Sequence, residues 1–309
     1  MINREAVCAT LCLLTRAAWE ESLPAPLSRR MVRRLEANGA LESLVLRETP
    51  GVEEQLLDRA RVLLSRAKRV YGCMQAYEEQ GYCILTPEDD RWPERLLGMG
   101  GDMPRFLFAK GNMEILEAQA AALAGSRSIQ RETMRIAYRC GRMIAEEGLA
   151  MVCGGAQGVD AAAQKGLLDA GGRLILVPAL PVSQLLRSGE YERAMQQGKL
   201  LILCDTLPDE PFSAPKALSR NHTIYALGEA AVVVAAREGA GGSWQGATDC
   251  MNQGWTDVFA VDEGLKDMAG CRALLERGAK RLDLSLPLRT QMDTAGRAVQ
   301  TDMLAGLIK

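Results

Sequence analysis

The sequence predicts an α/β protein: a parallel sheet with helices on both faces, preceded by a small all-helical region. Six apolar runs of strand length follow one another in the second part of the chain. They occupy residues 118–124, 149–153, 173–178, 199–204, 230–236 and 257–261. Helical stretches separate most of them, and such alternation is typical of parallel sheets. Glycine-rich turns follow three of the runs, where the carboxyl ends of parallel strands place ligands.

The first part of the chain is patterned as helices. Residues 6–21 are apolar at helical spacing. Ser28 is suited to cap a second helix, which Asn38-Gly39 would end. Residues 53–79 predict one long amphipathic helix.

Composition changes set the expected domain boundaries. A Gly-, Pro- and Asp-rich connection spans residues 81–104. We therefore predict a helical N-terminal domain over residues 1–80, an α/β domain over 81–283 and a C-terminal tail over 284–309.

Charge and aromatic content limit the kinds of partner. The 309 residues carry a formal net charge of −2 and only 5% aromatic residues. Any contact with nucleic acid must therefore be a local patch, and a surface built from stacked rings is disfavoured. Arg29, Arg30, Arg33 and Arg34 form two positive pairs on the second helix. We interpret them as a solvated face rather than as phosphate ligands.

The cysteine pattern indicates a reduced interior. Nine cysteines occur without a CxxC pair, and His222 is the single histidine, so a zinc site is not expected. No apolar run reaches the ~18–20 residues that cross a bilayer. Residues 6–14 are apolar enough to mimic a signal core, but they follow Glu5 and no small-residue cleavage site follows them. We expect a cytoplasmic protein without a membrane partner.

The turn at residues 153–160 is the strongest candidate for a phosphate site. Gly154, Gly155 and Gly158 let the backbone approach a ligand closely, and the following helix offers N–H groups to an anion. A similar turn, Gly125-Ser126-Arg127, follows the preceding apolar run. Two such turns in one α/β unit suggest a ligand with several phosphates. Asp160 is either a catalytic carboxylate or a helix cap, and we favour the cap.

A second set of candidates lies later in the chain. Arg220 and Asn221 at a helix start can hold a phosphate by a guanidinium fork and an amide donor, although a buried structural arginine fits the sequence equally well. Lys216 adds a point charge one helical turn earlier. A third glycine-rich turn contains Gly242-Ser243. Together these residues would form an electropositive groove at one sheet edge.

Several catalytic patterns are absent from the sequence. There is no GxxxxGK[ST] loop, no GxGxxG fingerprint and no arrangement that would let the one histidine serve a Ser-His-Asp triad. We predict no catalytic residues, no cofactor and no metal.

Several motifs, in order and at their spacing, together resemble one family. They are Trp92-Pro93…Leu96, Gly125-Ser126-Arg127, Gly154-Gly155-Ala156-x-Gly158-Val159-Asp160, Ser219-Arg220-Asn221, Gly242-Ser243 and Leu274-Leu275-x-x-Gly278-Ala279. The order and spacing resemble the DNA-processing protein A family (DprA, also called Smf) over about residues 84–283.

The resemblance implies an extended Rossmann-like fold and a non-enzymatic function. Members of that family bind single-stranded DNA, form homodimers and load or protect the strand for a RecA-type recombinase during natural transformation. By motif, Arg127 would clamp one phosphate, and Gly155, Gly158 and neighbouring amides would cradle another. Arg220, Asn221 and the Gly242-Ser243 turn would continue the track.

The chain departs from the family pattern at several positions. Many members have His at Gln164, Glu at Ala235 or Ala236, and Arg at His222. Asp262-Glu263 adds two negative charges near the expected groove. The tail after Leu284 is too short for the winged-helix domain of some members.

Two other functions stay open. One is a nucleotide-binding or nucleotide-processing protein, similar to the lysine-decarboxylase-like phosphoribohydrolases. Their Pro-Gly-Gly-x-Gly-Thr turn and nearby catalytic Glu compare with residues 239–244 here, which lack the Pro, the Thr and the Glu. The other is a degenerate DprA-like protein retained for protein contacts alone.

Overall fold

The computed structural model describes residues 3–15, 23–37 and 53–292. The described residues before position 80 form helices joined by short connections, as predicted. Their helices are α1 (Arg4–Leu14), α2 (Arg29–Ala37), α3 (Glu54–Leu64) and α4 (Ala67–Glu79).

Two helix boundaries differ from the expectation. α1 ends at Leu14, and residues 16–22 of the predicted stretch lie outside the described part of the chain. The predicted helix over 53–79 is divided between α3 and α4. At the break, the buried Arg66 turns inward, and its guanidinium donates to the carbonyl of Cys12 in α1 at 2.6 Å. The contact of Arg66 with α1 lies at the break between α3 and α4. The apolar pattern did not predict this break.

Ser28 caps α2, as predicted. Its hydroxyl accepts from the amide of Met31 at 3.3 Å. The apolar sides of α2 and α3 then close a small core with the end of α1. Its buried members are Leu13, Leu27, Val32, Leu35, Leu56, Leu57, Ala60 and Leu63. The predicted stop at Asn38-Gly39 lies outside the described residues.

The sheet follows. The strands in the described residues are β1 (Cys83–Leu85), β2 (Leu107–Gly111), β3 (Ala120–Ala124), β4 (Ala150–Cys153), β5 (Arg173–Leu176), β6 (Leu200–Cys204), β7 (Ala230–Val233), β8 (Asp257–Ala260) and β9 (Lys280–Arg281). Their order across the sheet is β1-β2-β6-β5-β4-β3-β7-β8-β9. In this order, every neighbouring pair of strands from β6 through β5, β4, β3, β7 and β8 to β9 is parallel. β1 pairs with β2, and β2 pairs with β6, in antiparallel fashion.

The six predicted strands are confirmed as β3 to β8. The sequence did not predict β1, β2 or β9 as strands. β1 and β2 form the antiparallel part of the sheet. β1 and β9 are edge strands of three and two residues. The fold is therefore Rossmann-like with an antiparallel extension at one edge.

The helices between the strands are longer than one turn except for α7. They are α5 (Arg131–Glu146), α6 (Val159–Asp169), α7 (Val182–Leu185), α8 (Gly189–Gln196), α9 (Ala214–Leu227), α10 (Gly242–Gln253) and α11 (Ala269–Glu276). α5 packs on α6, and α9 packs on α10. No helix in the described ranges is both long and apolar enough to cross a membrane.

The main core is continuous from the first helix to the end of the described chain. Leu11 of α1 and Met74 of α4 are fully buried in the same cluster as the strands. Leu288, in the predicted tail, is also fully buried, and its amide donates to the Glu147 carboxylate at 2.6 Å. The division into three domains stays a prediction.

Buried thiols support the expectation of a reduced interior. Burial raises the pKa of Cys140 and of Cys153 to about 12. Both thiols therefore stay protonated near neutral pH and act as packing groups.

Candidate nucleic-acid interface

The carboxyl ends of β4, β3 and β7 lie side by side and bring two of the predicted glycine turns to one rim of the sheet. Backbone hydrogen bonds fix these loops to each other. The Ser126 amide donates to the carbonyl of Ala235 after β7 at 2.9 Å, and the Val159 amide donates to the carbonyl of Ser126 at 3.1 Å. The predicted turns after β3 and β4 are therefore brought together and locked before any ligand binds.

Gly158 is required by this close approach. Its φ is +80°, and a Cβ there would overlap the carbonyl oxygens of Ser126 and Arg127. Gly125 faces the side chain of Val159, with no room for a Cβ. Both glycines therefore serve the packing of the two loops first, and any close approach of a ligand second.

Asp160 occupies the second position of α6 and lies under the turn. Its carboxylate accepts from the amide of Gly154 at 3.1 Å and from that of Ala156 at 3.2 Å. The predicted helix cap is therefore wrong in detail, since the bonds run back to the loop. The Gly154 amide is also occupied and cannot cradle a phosphate. Burial raises the pKa of Asp160 to about 6, although the two amide bonds and the Arg220 charge oppose the rise.

Arg220 lies inside the rim. It is only 6% exposed, and its guanidinium donates to the carbonyl of Val177 and lies against the backbone of Gly154. Burial lowers its pKa, and the charges of Asp160 and Asp205 act against that change. Its Nε has no hydrogen-bond partner among the described residues. The structure thus favours the buried structural reading of Arg220 over an open phosphate clamp.

Lys216 is also drawn inward. Its ammonium group forms an ion pair with the buried Glu210 carboxylate and approaches the carbonyl of Pro211 at 3.5 Å. A cavity of about 10 Å³ lies beside Lys216 and Arg220, with room for roughly one water. Lys216 is therefore not a free point charge for a phosphate, because a carboxylate of the protein already neutralises it.

Arg29 joins this inner layer, and sequence reasoning missed it. Its guanidinium forms an ion pair with the buried Asp205 at the end of β6 and donates to the carbonyl of Asp102 at 2.5 Å. Asp205 also accepts from the hydroxyl of Thr223 in α9 at 3.2 Å. The expectation of a solvated face on α2 is therefore wrong for Arg29. Arg33 donates to the carbonyl of Gly100 in an exposed hydrogen bond. Arg30 and Arg34 are exposed, and all three agree with the expectation.

The outer layer of the rim carries Arg127. It is exposed, and no carboxylate of the described residues lies within ion-pair distance of it. Its guanidinium lies over the ring of Phe212, 5.7 Å from the ring centroid. Phe212 is 45% exposed. Because the aromatic content is low, no ring was expected at this site from the sequence. The fold brings Phe212 next to the Arg127 turn.

The Gly242-Ser243 turn starts α10 and also faces outward. Its cap residue, Gly241, provides no side-chain hydrogen bond, so the first N–H groups of α10 have no cap of that kind. Asn221, which was predicted to hold a phosphate through its amide, forms a hydrogen bond within the protein. Its side-chain amide donates to the carbonyl of Gly242 at 3.1 Å and fixes the turn. Tyr225 does the same through the carbonyl of Ser243 at 3.0 Å.

The departures from the family pattern have local partners. Gln164 donates to the sulfur of Cys153 at 3.0 Å. His222 lies 2.9 Å from a carboxylate oxygen of Asp249. Asp262 is paired with Arg272 at 3.1 Å, which offsets part of the added negative charge.

Metal and pocket features are few in the described ranges. No group of three or more metal-ligating side chains occurs there. A cavity of about 850 Å³ opens at the opposite rim, where β7 and β8 begin, and includes Glu229, Asp257 and Lys280. It is remote in the fold from the glycine turns.

Comparison with known proteins agrees with this architecture. The family model of DNA recombination-mediator protein A matches residues 83–288. The DNA processing protein DprA of Streptococcus pneumoniae is 30% identical over 224 residues, which cover 71% of this chain and 77% of the relative. A putative DNA processing protein DprA of Mycobacterium tuberculosis is 30% identical over 222 residues, 65% of this chain. The chain spans about half, 55%, of the length of that relative.

Solved structures show the same fold. The X-ray structure of DprA from Streptococcus pneumoniae matches with a TM-score of 0.67 at 22% identity, covering 91% of this chain and 95% of that one. DNA processing protein A from Helicobacter pylori, in a study of its single-stranded DNA binding mode, matches with a TM-score of 0.56 at 21% identity. It covers 70% of this chain and 96% of its own. With the family model matching two thirds of its length, the chain belongs to the DNA recombination-mediator protein A family.

Proposed function

We propose that the outer layer of the rim binds the backbone of single-stranded DNA, and that the chain acts as a binding protein rather than an enzyme. The observation that carries this proposal is Arg127: an exposed guanidinium with no carboxylate partner in the described residues, held over the exposed ring of Phe212. The preceding residue, Ser126, forms backbone hydrogen bonds with two neighbouring loops, so the charge of Arg127 is presented from a fixed support.

The chemistry of this layer fits a single strand. A guanidinium and the uncapped N–H groups of α10 both attract phosphate oxygens. The face of an exposed ring can stack on a base only where that base is unpaired and accessible. A duplex offers phosphates but hides its bases, so it would use the charge without the ring.

The relatives add the biological setting. The DprA proteins that match this chain are DNA processing proteins, and the one from Helicobacter pylori binds single-stranded DNA. On that likeness, we propose that this chain hands its strand to a RecA-type recombinase, acts as a homodimer in the cytoplasm and serves natural transformation.

The nucleotide-processing alternative is less well supported. Asp160 is the carboxylate beneath the glycine turns, and it is 5% exposed with both of its described hydrogen bonds directed to loop amides. A general acid or base must reach its substrate. A carboxylate covered in this way has a structural use.

A salt titration tests the proposal. Wild type should bind an oligo(dT) of ~20 nucleotides more tightly than its duplex, with affinity falling as salt rises because counterions are released. Arg127→Gln should weaken binding about tenfold and make the log–log salt slope shallower by ~0.7, the contribution of one phosphate contact on a single strand. Arg69→Gln, at an exposed position of α4, is the matched control.

Three results would contradict this proposal. They are no binding of oligo(dT) by wild type, an affinity that does not change with salt concentration, and equal affinity of wild type and Arg127→Gln. A robust dimer that does not bind DNA would instead favour the function in protein contacts alone.

The ring can be tested separately from the charge. Phe212→Leu should lower oligo(dT) affinity by about 1–3 kcal/mol, the usual cost of losing one stacked base. An oligonucleotide of abasic residues should bind wild type and Phe212→Leu equally, because it has phosphates and no bases. If Phe212→Leu weakens both ligands alike, the ring acts by supporting Arg127 and not by stacking.

A further inference from the structure

The outer face of α5 carries a stripe of arginines. Arg131, Arg135, Arg139 and Arg142 are all exposed and follow one another at intervals of four, four and three residues. In an α-helix this spacing places all four on one side. None of the motifs shared with the family includes these residues.

Among the described residues, three of the four arginines have no carboxylate partner. Arg142 is paired with Glu146 at 2.5 Å. Within the parts of the chain that the structure describes, Arg131, Arg135 and Arg139 have no carboxylate at ion-pair distance. Like charges on successive turns repel each other and disfavour the helix. A helix face that only has to be solvated gains nothing from this arrangement, whereas a face that meets a polyanion does.

The stripe begins at the candidate interface. Arg131 follows Arg127 by four residues, and it is the first residue of α5. The start of the helix is fixed by Asp267, whose carboxylate accepts from the amide of Gln130 and the hydroxyl of Thr133, both at 2.8 Å. From Arg131 to Arg142 the helix rises about 17 Å. That length matches about five phosphates at the ~3.4 Å spacing of a strand in duplex DNA, and fewer in an extended single strand.

We propose that the arginine stripe of α5 is a second phosphate track, along which the same single strand continues after it leaves Arg127. The inference rests on the proposed function and adds to it a direction and a longer binding site. The track would be electrostatic and insensitive to sequence, because exposed guanidiniums that meet only phosphates carry no sequence information.

A length series separates the two parts of the site. Fluorescence anisotropy would be measured for oligo(dT) ligands from about 6 to about 30 nucleotides, lengths that run from a fraction of a binding site to more than one. On the shortest oligonucleotides that wild type binds detectably, the double variant Arg135→Gln/Arg139→Gln should have the same affinity as wild type. On the longest ligands it should lose on the order of tenfold in affinity, with a salt slope shallower by ~1.4 for two lost phosphate contacts.

Two controls belong to the experiment. Lys68→Gln/Arg69→Gln removes the same charge from exposed positions of α4 and should follow wild type at every length. Arg127→Gln should weaken binding at all lengths, because it changes the contact that every ligand uses. Circular dichroism should show the same helix content in all variants, since glutamine is a good helix former.

The outcomes distinguish the two proposals. An affinity that rises with length in wild type and stops rising earlier in Arg135→Gln/Arg139→Gln supports the track. If that variant follows wild type at every length, or if the α4 control loses as much, the track is overturned while the proposed function stands. If wild type binds none of the ligands, both fail.

Discussion

Arg127 and Arg220 lie at the same rim of the sheet, and both were expected to hold phosphates, yet they sit in opposite environments. Arg127 is exposed, and its charged group meets the face of one ring. Arg220 is 6% exposed and donates to the backbone of the loop after β5. The rim therefore has an outer layer that can meet a ligand and an inner layer that holds the loops in place.

The inner layer is a network of buried and half-buried charges. Arg220 lies in the fields of Asp160 and Asp205, Arg29 pairs with Asp205, and Lys216 pairs with Glu210. Each charge is compensated by the protein itself, because an isolated buried charge would be costly. A charge already compensated in this way is a poor ligand for DNA. A positive residue in a ligand-binding motif is therefore not by that fact a ligand contact.

The largest expected effect is on stability at the inner arginine. Arg220→Ala should lower the free energy of unfolding by about 4 kcal/mol, because it leaves a void and removes the cation facing two buried carboxylates. Arg127→Ala should change it by less than ~0.5 kcal/mol, as is usual for a surface residue. Urea denaturation of both variants measures the difference. Equal effects at the two positions would remove the distinction between the layers.

The pH dependence of stability tests whether Asp160 of the inner layer lies in a desolvated site. Its pKa is raised from 3.8 to about 6 by burial, so between these values the folded state keeps a proton that the unfolded chain has released. The free energy of unfolding of wild type should therefore fall as pH rises from ~4 to ~6.5, by about 3 kcal/mol relative to Asp160→Asn. Above that window the difference should be constant. A difference that is flat or rises with pH would mean that Asp160 is not held in a desolvated site.

A substitution at Gly158 tests whether the packing of its loop against the Arg127 turn holds Arg127 in position. Gly158→Ala should cost about 2 kcal/mol, because its φ of +80° disfavours a side chain and a Cβ would overlap the carbonyls of the Arg127 turn. It should also weaken oligo(dT) binding by displacing Arg127. Gly239→Ala is the control, with a φ of +67° but open space around the Cβ. Calorimetry and anisotropy on both variants check this, and equal behaviour would argue against the close approach.

The smallest expected effect concerns the link to the helical N-terminal region. Arg29→Gln should reduce the free energy of unfolding by about 1–2 kcal/mol, since the Arg29–Asp205 pair is largely buried but Thr223 continues to bond to Asp205. Arg30→Gln, at the neighbouring exposed position, should have no measurable effect. If the two substitutions are equivalent in urea denaturation, the α2 contact does not contribute to the inner layer.

Much of this molecule was predictable from residue pattern. The six apolar runs became β3 to β8, and the glycine turns lie at their carboxyl ends as expected. Gly158 was found because a close approach of backbones selects glycine locally. The break at Arg66 and the pairing of β1 were not predictable, because each depends on a partner that is distant in the chain or on a neighbouring strand.

The sequence by itself determined the six strands β3 to β8, the positions of the glycine turns and the family, since these follow from local periodicity, glycine placement and motif spacing. Only the tertiary structure decided which positive residues face solvent. The exposure of Arg127, the pairing of Lys216 and the burial of Arg220 depend on where Phe212, Glu210 and Val177 come to lie. Residue type fixes the charge of a side chain, and the packing of remote segments fixes whether that charge is solvated or already compensated.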